Sequence, residues 1–216
     1  MSKQQKTQAD GTKKEKKPVR RKTVEVSRGG YLLKRVLAFI VDWYLSSVLC
    51  NLAISLAQGL LNSEITVVKD LSVFTLPQAL IVLMFVLITT LFYYVYIPVK
   101  VWKGQTPMMH VLQLKIVGLD GHELSLKEHL LRFGVGCLIL EGGFYFFTTL
   151  SIDIIATYFF ANYKEFVDVI LGGPLQILTV VSVAFGAFDR KHTQLFHDRI
   201  SKSEVIDLYD GGQGAL

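Results

Sequence analysis

From Leu71 to Val99 the chain runs 29 residues without an Asp, Glu, Lys or Arg. A helix of about 20 mostly apolar residues crosses the hydrocarbon core of a bilayer, so this run alone points to a membrane. Two more uncharged runs, Trp43 to Ser63 (21 residues) and Val169 to Phe188 (20 residues), are also long enough. Only 19% of residues are charged and the mean hydropathy is +0.40. The chain reads as an all-α integral membrane protein.

Four transmembrane helices are predicted. The first follows the basic N-terminal segment. Its apolar run exceeds the roughly 7–15 residues of a signal-peptide core and carries Asp42 and Asn51, so a retained helix is expected. The second runs from Leu76 to about Val99 and ends among Phe92, Tyr93, Tyr94 and Tyr96, rings suited to the headgroup level. The third apolar stretch spans 133–160, interrupted by Glu141 and Asp153. The fourth spans about 166–188, with a kink or re-entrant break expected at Gly172-Gly173-Pro174. Lys and Arg alternate between crowded and sparse segments: 12 through Arg35, then Lys69 alone, five from Lys100 to Arg132, Lys164 alone, and four from Arg190 to Lys202. That alternation predicts both termini inside, in the cell (cytoplasmic) membrane.

Residues 1–30 read as a disordered basic cytoplasmic tail, 31–207 as the transmembrane domain and 208–216 as a flexible C-terminal tail. Through Arg35 there are 12 basic against 3 acidic residues; the rest of the chain has 11 against 15. Two roles suit the tail: attraction to anionic lipid, or simply setting orientation. Nucleic acid is not an expected partner, since the charge lies outside any folded domain. Cys50 and Cys137 sit in apolar runs, too few for a disulfide framework.

The inner loop between helices two and three is itself structured. His110 to Val117 alternates like a strand, Asp120-Gly121 is a turn pair, and Ser125-Leu126-Lys127-Glu128 is a capping box. A short strand or hairpin plus an interfacial helix leading into Arg132 is expected there. No internal repeat stands out in the sequence.

Asp42 lies seven residues, two turns, after Arg35, on a face with Ala38 and Ser46. Tyr44, Ser47, Asn51, Ser55 and Gln58 make a second polar stripe, so this helix is expected to pack between neighbours. Glu141 follows Arg132 by nine residues, on a face with Gly134, Cys137 and Thr148. The two carboxylates fall at matching depth, and an intramembrane acid costs at least about 2.5–3.5 kcal/mol, which makes it a functional candidate. If their helices are neighbours the carboxylates share one site and a proton; if Arg35 or Arg132 reaches in, the site is a static lock. The five histidines have no metal-ligand spacing, and no cofactor or enzyme motif is present, so neither a metal, a cofactor nor an enzyme activity is expected.

Arg35-Val36-Leu37-Ala38 with Asp42, Gly104-Gln105-Thr106-Pro107, Leu114-Lys115-Ile116-Val117, Asp120-Gly121, Leu131-Arg132 and Thr193-Gln194-Leu195-Phe196-His197-Asp198 occur in that order. This ordered set resembles the RDD family of bacterial and archaeal membrane proteins over about residues 28–207. The resemblance maps the family's namesake Arg and two Asp onto Arg35, Asp42 and Asp198. The chain departs from the family at Met108-Met109-His110, where a glycine and basic residues are usual. A membrane protein with transport suspected is what the resemblance implies.

The functional expectation is a transporter or transport subunit for protons or a small cation using Asp42 and Glu141. The alternative is a non-transporting scaffold docked on a larger membrane complex. Four spans leave little room for a path in one protomer, so a homo-oligomer or a membrane-protein partner is expected besides the bilayer. Asp198 is expected to cap a helix or to pair with Arg35 or Arg132, with the 104–107 turn and the 197–199 segment packed together.

Overall fold

The structure is a computed structural model that describes residues 28–63, 73–188 and 193–210. Most of the basic tail, 1–27, and residues 211–216 lie outside the described residues. Residues Leu208–Asp210, assigned to the flexible C-terminal tail, form a 3-10 turn.

Helix α1 (Arg28–Asn62) is unbroken for 35 residues. Helix α2 (Leu76–Val101) starts at Thr75, whose backbone N–H donates to Gln78 Oε1 at 2.8 Å. Its last ten residues, Phe92–Val101, widen to five-residue hydrogen-bond spacing around Pro98, which has no N–H to close a regular turn. A five-residue helix α3 (Pro107–Val111), strand β1 (Leu114–Gly118) and helix α4 (Leu126–Leu130, continuing in wide turns through Leu131–Leu140) follow. The predicted capping box starts α4: the Ser125 N–H donates to Glu128 Oε2 at 2.7 Å. Helices α5 (Phe146–Phe159) and α6 (Ala161–Phe188) precede the five-residue helix α7 (Phe196–Ile200) and strand β2 (Ser203–Asp207).

Among the described residues, three helices, α1, α2 and α6, are long and apolar enough to cross a membrane. The third predicted span is two helices instead of one. Glu141 leaves helical geometry (φ −110°, ψ 26°) and Gly142–Phe144 makes a 3-10 turn before α5 restarts. The break sits tight against α6, where a Cβ on Gly143 would lie 2.5 Å from the Gln176 Cα, so only glycine fits there. Of the kink or re-entrant break expected at Gly172-Gly173-Pro174, no re-entrant break forms, and the helix is irregular there instead. There α6 continues through a wide turn, Asp168–Gly172, that absorbs the missing proline N–H.

Of the strand or hairpin expected in the inner loop, the strand forms and a local hairpin does not. The partner of β1 is β2, antiparallel, with Leu114 opposite Asp207 and Gly118 opposite Ser203. This ribbon packs on the start of α1 through Tyr31, Ala38, Leu114, Ile116 and Val205. A second core joins α1, α2 and α5 through Cys50, Ile54, Ala57, Ala79, Val82 and Ile154. Ala57 and Ala79 are fully buried, and such small residues let helix backbones approach closely.

The outer surface is inverted relative to a water-soluble protein. Leu52, Met84, Ile88, Ile177 and Val180 are exposed, while Asp42, Arg132, Glu141 and Asp198 are buried. Lipid is the solvent that accepts this arrangement. The second polar stripe of α1 is only partly packed: Tyr44 and Asn51 are exposed, Ser47 and Ser55 half-buried and Gln58 buried. Ser47, Asn51 and Ser55 each donate to the carbonyl four residues back, at 2.8, 2.9 and 3.1 Å, which satisfies them without water.

Candidate polar site at the helix ends

Three buried carboxylates organise the end of the bundle where the ribbon sits. Asp198 on α7 has no exposed surface. Its Oδ2 accepts from Arg35 Nη2 at 2.9 Å and from the Leu195 backbone N–H at 3.0 Å. Its Oδ1 accepts from Arg132 Nη2 at 2.5 Å and Nε at 3.2 Å. Asp198 thus does both things expected of it: it caps α7, and it pairs with both arginines. Arg35 also donates to the Thr193 carbonyl at 2.5 Å. The hub ties α1, α4 and α7 together.

Glu141 stands at the break after α4. Its Oε1 accepts from Ser182 Oγ of α6 at 2.6 Å and from the His197 backbone N–H at 2.9 Å. Its Oε2 pairs with His197 Nδ1 at 2.7 Å, and His197 Nε2 lies 3.4 Å from Asp198 Oδ1. The close approach of α7 depends on Gly136, where an added Cβ would lie 2.4 Å from His197 Cβ.

Asp42 is 3% exposed and is held by neutral donors. Tyr93 Oη donates to its Oδ1 at 2.7 Å, the Met108 N–H to Oδ1 at 3.0 Å, and Thr106 Oγ1 to Oδ2 at 2.5 Å. Pro107 opens α3 just after Thr106, and Gly104 sets the turn before it with φ +97°.

Asp42 and Glu141 have no hydrogen-bond partner in common: Tyr93, Thr106 and Met108 hold the first, Ser182 and His197 the second. Arg35 and Arg132, weighed as possible partners of the two intramembrane carboxylates, both turn to Asp198. The 104–107 turn and the 197–199 segment seat on different carboxylates: Thr106 on Asp42, His197 on Glu141. Tyr93 and Ser182 carried no sequence signal as partners. Each is one hydroxyl in an apolar helix. A cleft of about 460 Å³ opens beside the 142–144 break, lined by Trp43, Ser47, Gly143, Thr148, Asp153 and Gln176.

Electrostatics in α7 follow from these contacts. Burial alone would raise the Asp198 pKa, but His197, Arg132 and Arg35 outweigh it and hold the carboxyl far below its ordinary range. Burial alone would discharge His197; Cys137 and Asp198 outweigh it, and its pKa is pushed up to about 10. The raised His197 value stabilises the fold fully below the unfolded pKa of about 6.5, and that gain is lost as pH rises toward 10. The lowered Asp198 value stabilises it above about 3.9 and is lost in acid. Thermal melts in detergent are expected to peak between about pH 4 and 6.5 and to decline toward pH 10. His197→Met should flatten the alkaline decline, and an unchanged slope in that variant would refute a charged His197.

A family model described as RDD family matches residues 30–202. No match was found among curated proteins or among solved structures.

Proposed function

Because the chain belongs to the RDD family, we propose that it is a proton-coupled transport subunit for a small cation in the cytoplasmic membrane, with Asp42 as the group that exchanges the proton. One observation carries this reading: Asp42 is buried against three neutral donors, with no cation in contact among the described residues. Neutral donors satisfy the oxygens without cancelling the charge, so a proton or small cation completes the site. Thr106 Oγ1 accepts as readily as it donates, which lets a protonated Asp42 keep the contact. Glu141, expected to share this role, has its own counter-ion in His197 and belongs to the lock.

In this reading four spans, with 126–159 as the broken third, place both termini in the cytoplasm, in line with the Lys and Arg alternation. A second copy or a membrane partner completes the path. The basic tail contributes attraction to anionic lipid.

Purified protein in liposomes, given a pH step with Na⁺ or K⁺ present, tests the proposal. Flux is expected in the wild type and at background in Asp42→Asn with the fold intact. The fully paired Asp198 and Glu141 favour a second reading, a non-transporting scaffold. Absence of wild-type flux would overturn transport and leave the scaffold.

A further inference from the structure

Residues 104–119 and 193–208 repeat one geometry when 89 is added to each number, 104 becoming 193. Gly104 and Thr193 both have left-handed backbone, φ +97° and +46°. Gln105 Nε2 donates to the Leu114 carbonyl at 2.7 Å, and Gln194 Nε2 to the Ser203 carbonyl at 3.0 Å. The capping positions Thr106 and Leu195 share φ/ψ of −75°/168° and −80°/172°. A five-residue helix follows each, then a left-handed residue, Gln113 (φ +59°) or Lys202 (φ +50°), then a five-residue strand.

The ribbon carries the symmetry itself. Its central pair is Ile116 opposite Val205, and these are equivalent positions, so a two-fold axis passes between them. The flanking bonds obey the same axis: the Leu119 N–H donates to the Lys202 carbonyl at 3.1 Å, and the Leu208 N–H to the Gln113 carbonyl at 2.8 Å.

The equivalence continues into the helices. The Met108 N–H donates to Asp42 at 3.0 Å and the equivalent His197 N–H to Glu141 at 2.9 Å. A hydroxyl from the preceding helix completes each set, Tyr93 or Ser182, again 89 apart (93 becoming 182). The helical stretch 126–159 is then the counterpart of α1, its break notwithstanding. Fused repeats of this kind are a recurrent plan in transporters.

We infer that the chain is a fused two-fold duplicate in which Asp42 and Glu141 are one carboxylate site present twice, with His197 closing the second copy and Met108 leaving the first open to a proton or small cation. The openness of the first copy rests on the Asp42 reading above; the equivalence of the copies does not. The groups around Asp42 fit an open site. Tyr93 and Tyr94 face it from α2, Arg35 on α1 is committed to Asp198, and His110 on α3 is held by Gln105 and stacked on Trp102. Around Glu141 stand His197 from α7, Cys137 and Tyr145 from either side of the break, and Arg132, which is committed to Asp198. One small residue adapts each copy. Gly136 makes room for His197, whereas fully buried Ala38, one turn before Asp42, packs in the cluster that Met108 covers.

The decisive variant is therefore Ala38→Gly with Met108→His, which gives the first copy the residues of the second. Full-length protein in detergent is expected to melt about 2–4 °C higher than Ala38→Gly alone, with the gain abolished when Asp42→Asn is added. In liposomes the same variant should lose proton flux. A folded variant without an Asp42-dependent gain would overturn the equivalence of the two copies. A gain with flux unchanged would leave the duplication standing and overturn the open proton site. Should the variant not accumulate, His197→Met supplies the reverse test. Added to the silent Asp42→Asn protein, it is expected to restore flux through Glu141, and a folded double variant still at background would overturn the assignment of His197.

Discussion

Asp198→Asn leaves two largely buried guanidinium groups facing a neutral amide, and the protein is expected to lose roughly 3–5 kcal/mol of stability. For a chain of this size that corresponds to a fall in melting temperature on the order of 10 °C. The loss comes from stranding Arg35 and Arg132 more than from losing attraction. Their charges were desolvated on the promise of a carboxylate that accepts from both. Replacing the arginines as well, as Arg35→Met and Arg132→Met on the Asp198→Asn background, should therefore recover part of the loss. Thermal melts of the purified variants in one detergent check both statements. A shift of only a degree or two for Asp198→Asn would mean that the hub is wet and contributes little.

Gly136→Ala is the second large effect expected. The new methyl carbon would lie 2.4 Å from His197 Cβ and 2.7 Å from its Cα, and a backbone atom cannot rotate away. Helix α7 must lift, and with it go the His197 N–H bond to Glu141 and the reach of Asp198 to Arg132. Overpacking alone costs about 1–3 kcal/mol, and the broken charge contacts add to it. Gly134 supplies the control. It lies two residues away on the same helix with nothing within 4 Å of an added Cβ, so Gly134→Ala should be neutral or stabilising by up to about 1 kcal/mol. Equal behaviour of the two alanine variants in melts or in accumulation would refute the close approach.

The uncharged runs made α1, α2 and α6 legible, because a membrane span is written in consecutive residues. The capping box at Ser125 was legible for the same reason: all its members lie within four positions. Strand β2 was not. Its inward residues are Ser203, Val205 and Asp207, two of the three polar, so the hydrophobic alternation that marks a strand is missing. The break at Glu141 had a local signal in Gly142-Gly143, but the α6 backbone at Gln176 that Gly143 packs against lies far along the chain. Asp42, Arg132 and Glu141 stood out as charges in apolar surroundings and Asp198 only through the RDD resemblance, yet who pairs with whom depends on how α7 folds back. The duplication was hidden for a related reason. Its equivalent positions preserve backbone geometry and hydrogen bonds, while the residues differ: Tyr93 against Ser182, Met108 against His197, Thr106 against Leu195.

The Arg35 contact with Asp198 spans 163 residues of chain, and that distance is also a delay. At about 5–20 residues per second of synthesis, Arg35 waits on the order of 10–30 seconds after its own helix has formed before its carboxylate exists. Through that interval the first helices sit in the bilayer with an uncompensated charge and half a ribbon. The Arg35 contact therefore closes only after synthesis has reached Asp198, and the ribbon and the arginine hub are completed last.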